Sequence, residues 1–383
     1  MKKLVHIVIF ERYREGAAYQ ENLLAQKHKE LGFDVYIIAQ QKSKDNNRRP
    51  IMLEKGHYVN DKGIDVTILE STRQNVLSLF FCDATRGLYK RLVEIAPDVI
   101  FVHNFTRKDV RHIVRYAKGH PNVEVYADCH SDYYNVPVKT IYQKIVAAFR
   151  RHWGKKILSV AKVMWGTTPW RVQYMQDVYG IPPEKTGLLI MGAEEKYIAG
   201  RDKQEIRKCI RSKYGIPEDA FLVVTGGTLD KRKQQNLLME AVRSLADKNV
   251  WLLVFGSPTT DMESVFEVYK DEPNIVMTGW IPSEQAYDMF FASDLAFFPG
   301  THSVLWEQAV ACSCPIVTKH WAGMEHVNYN GNAVFMDEVD VERIRQMILR
   351  LNKTDEYDKM LSQAKDAAPH FFLDEIARKA IGL

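Results

Sequence analysis

Two stretches in the second half of the chain gather glycine, hydroxyl and cationic residues in the way an anion site requires. The first, 225–233, reads TGGTLDKRK, so Gly226, Gly227 and Thr228 precede Lys231, Arg232 and Lys233. Glycines let the backbone approach an anion closely, the start of the following helix attracts it, and lysine or arginine supplies the opposing charge. The combination predicts a phosphate site. The second stretch, 299–309, reads PGTHSVLWEQA. Its backbone N–H groups around Thr301, His302, Ser303 and Val304 are expected to cradle phosphate, with Ser303 capping the helix that follows. Glu307 lies one turn into that helix, beside Val304, Leu305, Ala309 and Val310. A carboxylate buried among such neighbours needs a partner, and a ribose diol is a good one.

The first half offers a polar cluster, 128–135 (DCHSDYYN), at the end of an apolar run. His130, set among acids and aromatics, is the residue there with a predicted functional role; the case for His103 is weaker. The first turn, 11–17, holds Gly16 ahead of a helix, where it is placed to meet phosphate. A full GxGxxG is missing, which argues against a nicotinamide dehydrogenase. HExxH, a Cys/His cluster, a DxD loop and a GxSxG elbow are also missing, so neither a metal nor a serine nucleophile is expected. The five cysteines, Cys82, Cys129, Cys209, Cys312 and Cys314, form no CxxC pair and are expected to be free, buried thiols in a reducing cytoplasm.

These segments follow apolar runs that read as strands. In the first half they are 4–10 (LVHIVIF), 35–39, 98–103, 123–129, 163–167 and 188–191, with helices expected at 17–31, 108–118 and 170–179. In the second half, strands at 221–225, 251–255, 275–278, 295–298 and 315–318 alternate with helices at 235–245, 283–292 and 306–311. Strand–helix–strand repetition implies parallel sheets with right-handed crossovers. Two such series imply two Rossmann-like, doubly wound α/β domains facing a central cleft, with ligands beyond the carboxyl ends of the strands. The expected division is 1–195 and 196–368, with a C-terminal helix over 369–383 packing back on the N-terminal domain.

A chain of 383 residues suits two cores better than one. With 46% hydrophobic and 26% charged residues it has a globular composition, and a net charge of +4 is too small to imply nucleic acid. No apolar run reaches the length of a membrane span, and 4–10 is too short for an export signal, so a cytoplasmic location is expected. Segment 142–162 mixes Lys144, Arg150, Arg151, Lys155 and Lys156 with Ile145, Phe149 and Trp153. That mixture suits an amphipathic element on an anionic membrane surface, or a helix packed on the sheet with a solvated basic face.

Taken together, these motifs resemble the retaining GT-B glycosyltransferases, in particular family 4, over roughly the whole chain and most strongly from 223 to 317. GGTLDKRK is similar to the family's phosphate turn, and Lys233 matches its pyrophosphate-binding lysine. TGWIP (278–282) resembles the segment that contacts the base, which brings in Ile281. WEQAVACSCPIV (306–317) resembles the following helix and strand, and Glu307 matches the second acid of the family's E-x7-E motif, the one expected on the donor ribose. In the first half, Gly16 falls at the glycine loop near phosphate, and His130 matches a histidine lining the donor-sugar and acceptor pocket. The chain departs from the pattern at Pro299, where the first acid of E-x7-E belongs. It departs again at the arginine of the phosphate turn, which Lys231 or Arg232 would replace.

The resemblance implies transfer of a sugar from a nucleotide sugar, a uridine diphosphate sugar above all, to a glycan or lipid-linked acceptor in cell-envelope or polysaccharide biosynthesis. The expected site comprises His130, Lys233 and Glu307 as catalytic groups. Gly16, Gly226, Gly227, Thr228, Arg232, Ile281, His302, Ser303 and Val304 join Lys233 and Glu307 in donor binding. It needs no cofactor or metal, because lysine and helix N-termini supply the positive field. Peripheral contact with the inner membrane face is a further expectation. The alternatives are a nucleotide-sugar epimerase of the same fold, and a catalytically silent subunit that binds a sugar nucleotide.

Overall fold

Apolar continuity decides which strands lie at the centre of each sheet. Strands covered on both faces need apolar side chains at successive positions. Lys3–Ile7, Val99–His103, Phe221–Gly226 and Leu295–Phe298 meet that need and are buried almost throughout. The structure, a computed structural model, describes residues 1–10, 13–15, 19–44, 49–73, 84–245 and 249–383. It divides into one unit of Met1–Ile190 with Ile376–Leu383 and another of Met191–Glu375.

The first unit contains Lys3–Ile7 (β1), Asp34–Gln40 (β2), Lys42–Lys44 (β3), Pro50–Met52 (β4), Gly56–Val59 (β5), Asp65–Leu69 (β6), Val99–His103 (β7), Glu124–Cys129 (β8), Ala161–Gly166 (β9) and Thr186–Leu188 (β10). Its sheet runs β10-β9-β8-β7-β1-β2-β6-β5. Every neighbouring pair is parallel except β5 against β6, while β3 and β4 form a separate antiparallel pair. The second unit contains Phe221–Gly226 (β11), Val250–Phe255 (β12), Ile275–Gly279 (β13), Leu295–Phe298 (β14), Ile316–Lys319 (β15) and Ala333–Met336 (β16). They form an all-parallel sheet in the order β13-β12-β11-β14-β15-β16. In both sheets the chain winds outward from a central strand in one direction and then in the other. The direction reverses between β1 and β7 in the first sheet and between β11 and β14 in the second, and ligands of such sheets collect beyond the carboxyl ends at that reversal.

Several elements differ from the sequence expectation. Nothing was expected between 39 and 98, where β3 to β6 lie; β6 is five residues between acids, too short to show a period. β16 and the helices Val341–Leu351 and Asp355–Ala367 likewise had no sequence assignment. The helix expected over 170–179 is α-helical over Pro169–Tyr174, and then widens into a π turn over Met175–Tyr179 that stops at Gly180. The division falls at 190/191 rather than 195/196, because 191–195 are tied into the second unit. Ala193 N donates to Phe371 O and Leu373 N donates to Ala193 O, each at 2.9 Å. The C-terminal segment joins the first unit at Ile376 rather than 369. Cys129, Cys312 and Cys314 are free and buried; Cys209 is free but exposed, on the solvent side of helix Lys203–Lys213, and Cys82 lies outside the described residues.

In the second unit the turns after β11, β12 and β13 are locked together at Gly256. Its N–H donates to Gly279 O at 2.7 Å, its φ is +113°, and a Cβ there would lie 1.9 Å from Gly227 O. Gly256→Ala therefore combines a left-handed backbone penalty with a clash against backbone, and is expected to destabilise the protein by about 3 kcal/mol or more. Gly32→Ala has φ +90° but no atom within 4 Å, and should cost only about 1–2 kcal/mol. Urea unfolding of the two variants checks the contrast; equal losses would refute the packing argument.

Candidate functional site

The two glycine-containing stretches meet where the second sheet reverses direction. β11 delivers residues 226–233 and its neighbour β14 delivers 299–304. Gly226 faces the ring of Phe255, where a Cβ would lie 2.3 Å from the nearest ring carbon, and Gly227 adopts φ +98°. The stretches are tied directly: Thr301 N donates to Arg232 O at 3.0 Å, and a Cβ on Gly300 would fall 2.3 Å from that same oxygen. Asp230 shapes the turn by accepting Arg232 N at 2.9 Å and Lys233 N at 3.2 Å. Burial pushes its carboxyl up, but the Arg232 contacts outweigh this and hold it below the usual range.

Lys233 is turned inward. Its Nζ donates to Thr301 O at 2.7 Å and His302 O at 2.8 Å. Burial lowers this amine to about 8, against the opposing pull of Asp230. A cation held between two loops at a strand reversal is a suitable counter-charge for a diphosphate. The other two cations differ. Arg232 pairs with Asp230 at 2.6 Å, and Lys231 is exposed beside Asp261 at 3.7 Å. Thr228 is half-buried, with its carbonyl 3.4 Å from Gln235 Nε2. Ile281 is half-buried just after β13.

Glu307 is fully buried on helix Leu305–Ala311. Its Oε1 accepts from His302 Nε2 and from His326 Nε2, each at 2.8 Å. Burial alone would raise this carboxyl; the two imidazoles outweigh it and hold it at about 2. Oε2 has no hydrogen-bond partner, and neither has the buried His326 Nδ1. A buried acceptor without a donor is costly, so both atoms favour a ligand that brings hydroxyl groups. The ligand atoms of His302, Glu307 and His326 lie within 4.8 Å of one another, a composition that also suits a metal ion. Both Nε2 atoms aim at one oxygen, however, which is the geometry of two donors on a carboxylate. Val304 directly precedes the helix and makes no side-chain cap bond, while Ser303, one position further out, accepts from Leu305 N through Oγ at 3.5 Å.

In the first unit, His130 follows β8 with its side chain partly exposed, and its Nε2 is 3.4 Å from Asp128 Oδ1. Asp128 is fully buried and also accepts from His103 Nδ1 at 2.9 Å and Asn104 N at 2.8 Å. Gly16 lies outside the described residues. Helix Ile141–Leu158 begins with a capping box between Thr140 and Gln143. Ile141, Tyr142, Ile145 and Phe149 are exposed on it, together with Lys144, Arg151, Lys155 and Lys156, while Arg150 is half-buried.

Two participants were not singled out from sequence. His326 sits in the turn Glu325–Val327, with no spacing that ties it to Glu307. Asp128 did carry a signal: an acid inside the apolar run of β8 must have a buried partner.

Residues 206–367 match the family of glycosyl transferases group 1. Among curated proteins none matches the chain in sequence. Solved structures resemble it over nearly their whole length. A glycosyltransferase from Rickettsia africae is 15% identical, with 100% of this chain and 97% of that one covered and a TM-score of 0.69. HepE from Anabaena, in complex with UDP and glucose, is 14% identical, with 99% and 98% covered and a TM-score of 0.67. WaaG, a glycosyltransferase involved in lipopolysaccharide biosynthesis, is 15% identical, with 99% and 98% covered and a TM-score of 0.67.

The lowered Lys233 makes a stability prediction. Between about pH 8 and its ordinary 10.5 the amine is neutral in the folded chain and protonated in the unfolded one. The unfolded state then binds more protons, so this lysine's contribution to stability rises with pH across that window, by about 3 kcal/mol at most. Lys233→Met lacks this term. Urea unfolding at pH 7.5 and pH 10 should show the difference between wild type and variant moving in favour of wild type at the higher pH; a difference independent of pH would show that the amine is not buried as described.

Proposed function

We propose that this glycosyltransferase of the GT-B fold moves a sugar from a UDP-sugar to an acceptor hydroxyl, with retention at the anomeric carbon, in the assembly of a cell-envelope or other polysaccharide. The observation that carries the reading is the pairing of Lys233 and Glu307 at the reversal of the second sheet, one group suited to a diphosphate and the other to a ribose diol. HepE is in complex with UDP and, in another structure, with UDP-glucose, which supports the choice of base.

The bond from the anomeric carbon to the diphosphate oxygen breaks, and the acceptor oxygen takes its place on the same face. The acceptor proton ends on the departing diphosphate. Charge builds up on that diphosphate in the transition state, and Lys233 with the backbone amides of 228 and 302–304 is the group that stabilises it. Thr228, Arg232, Ser303 and Val304 line this anion site in the proposal, and Ile281 lies against the base. His302 and His326 hold Glu307 by Oε1 so that Oε2 meets the ribose. His302 thus takes a place in the site of a chain that has Pro299 at the first E-x7-E position. The positive field comes from protein groups, so the reading calls for no metal. His130 is assigned to the reacting sugar and its acceptor.

Lys233→Ala and Glu307→Ala should each lower transfer by roughly 10²–10³ while the far-ultraviolet circular dichroism stays that of a folded chain. Near-wild-type transfer in either variant would sink the assignment. His130→Ala should reduce turnover and leave the affinity for UDP, read by calorimetric titration, unchanged; a large loss of UDP affinity would move His130 into the nucleotide site. Purified protein that binds UDP-sugars and transfers nothing to any hydroxyl acceptor would leave a silent subunit in place of an enzyme.

The proposed acceptor is lipid-linked, at the cytoplasmic face of a membrane. No helix among the described residues is long and apolar enough to cross a membrane. Helix Ile141–Leu158 instead exposes large apolar side chains, Ile141 at 80% and Ile145 at 63%, beside four cations. That mixture favours peripheral binding to anionic lipid, each basic residue adding on the order of 1 kcal/mol, screened by salt. The protein should sediment with anionic liposomes at low salt and not with neutral ones. Changing Lys144, Arg151, Lys155 and Lys156 to Gln should release it without altering UDP affinity. Wild-type protein that ignores anionic liposomes at low salt would point to a soluble acceptor.

A further inference from the structure

Three histidines of the first unit have no place in the reaction as described, yet they are fully buried. His6 lies on β1, His103 ends β7, and His28 lies on helix Gln20–Glu30. His28 Nδ1 is 3.0 Å from His6 Nε2, and His6 Nδ1 is 2.9 Å from His103 Nε2. The rings are 5.1 and 5.2 Å apart between centroids and tilted by only 29° and 17°. With nitrogens that close, rings at that separation meet edge to edge, as in-plane N–H···N bonds require. The array starts at Ala377 O, 2.8 Å from His28 Nε2, and ends at Asp128 Oδ2, 2.9 Å from His103 Nδ1.

The donors and acceptors can be counted along this line. A carbonyl only accepts, so His28 carries a proton on Nε2, and as a neutral ring it accepts on Nδ1. His6 must then donate from Nε2 and accept on Nδ1, and His103 must donate from Nε2. These bonds use the single proton of each neutral imidazole. His103 Nδ1 still faces a carboxyl oxygen, and that contact needs one proton more. Asp128 accepts from Asn104 N through its other oxygen and lies beside His130. Burial pushes its carboxyl up, but His103 and His130 outweigh this and hold it well below the usual range. Reversing the bonds would put that proton on His28 or His6, away from the anion; of the three rings His103 is the one in contact with the carboxylate, so the proton sits there. Burial lowers His28 to about 4 and His6 well below its ordinary value, in keeping with two neutral rings.

We propose that His28, His6, His103 and Asp128 form a buried relay that holds one proton beyond three neutral imidazoles, seated on His103, and that Asp128 is thereby the positioning residue that holds His130 by its Nε2. A lone buried carboxylate at Asp128 would be too costly to keep ionised, and a protonated one would lose its grip on His130. The array supplies a matching charge without admitting water. It also seats the C-terminal segment, because its first acceptor is the Ala377 carbonyl. This deepens the role assigned to His130 and rests on that assignment only for its activity readout.

Nitrogen-15 spectra of the full chain, with each imidazole assigned by single substitution, test the proton count directly. His28 and His6 are expected as neutral rings protonated on Nε2, and His103 as a ring protonated on both nitrogens. A neutral His103 in the wild type overturns the proposal. Asp128→Asn keeps every bond of the line made without the additional proton, since its amide N–H can donate to His103 Nδ1, so the variant is expected to fold with His103 neutral. It removes the anion from His130, so kcat should fall by roughly ten- to a hundredfold with the donor KM unchanged. A kcat equal to wild type would overturn the positioning role, and should the variant fail to fold, the wild-type spectrum still decides the relay. Spectra as expected from a chain that turns over no nucleotide sugar would refute the proposed function and leave the relay standing.

Discussion

Burying an ionised carboxylate is so unfavourable that it must be paired and hydrogen-bonded to persist. This chain does so twice in the regions read as its working parts. Glu307 and Asp128 are both fully buried, and both are met by imidazole. Histidine suits the task because its charge is adjustable: it can donate as a neutral ring or match an anion as a cation. At Glu307 two rings converge on one oxygen, and the other has no hydrogen-bond partner among the described residues. At Asp128 one ring meets Oδ2 while Oδ1 lies beside a backbone N–H and His130. The surroundings of each acid follow from that need: the turn that carries His326, the strand that carries His6, and the helix that carries His28.

Lys233 shows the opposite economy. It is a cation drawn inward with two carbonyls as acceptors and, among the described residues, no carboxylate in direct contact. Its seat depends on backbone contacts that side chains would spoil. Gly300 must pass within contact of Arg232 and Lys233, and Gly256 within contact of Gly227. The proposed anion site is therefore built from main chain, with one lysine across it. Such a site is rigid before any ligand arrives, and preorganised donors stabilise developing charge without reorganising.

The sequence legibly contains the architecture and half of the site. Long apolar runs alternating with helical periods make doubly wound sheets, and those patterns are local, so β1, β7, β11 and β14 could be read directly. So could the turns after β11 and β14, since small residues and cations directly after a buried strand can only lie at its carboxyl end. Lys233 and Glu307 were placed beyond the ends of β11 and β14 in this way, and there the structure has them. β6 and β16 were not read from sequence: β6 carries Asp65 and Thr67, which break its apolar run, and β16 is half-buried at two of its four positions. Ser303, expected as a cap from its residue type, lies one residue further from the helix, yet its hydroxyl still accepts the first helical N–H.

What only the tertiary structure decided is which polar groups meet. His302 and His326 are separated by helix Leu305–Ala311 and by β15, and they converge on Glu307 because β14 and β15 lie side by side in one sheet. His6 and His103 are 97 residues apart in sequence and bond because β1 and β7 are neighbours; His28 and Ala377 are 349 apart. Periodicity reports which face of an element is buried, and composition reports that a polar residue on that face needs a partner. Neither names the partner, because strand order and register bring it there.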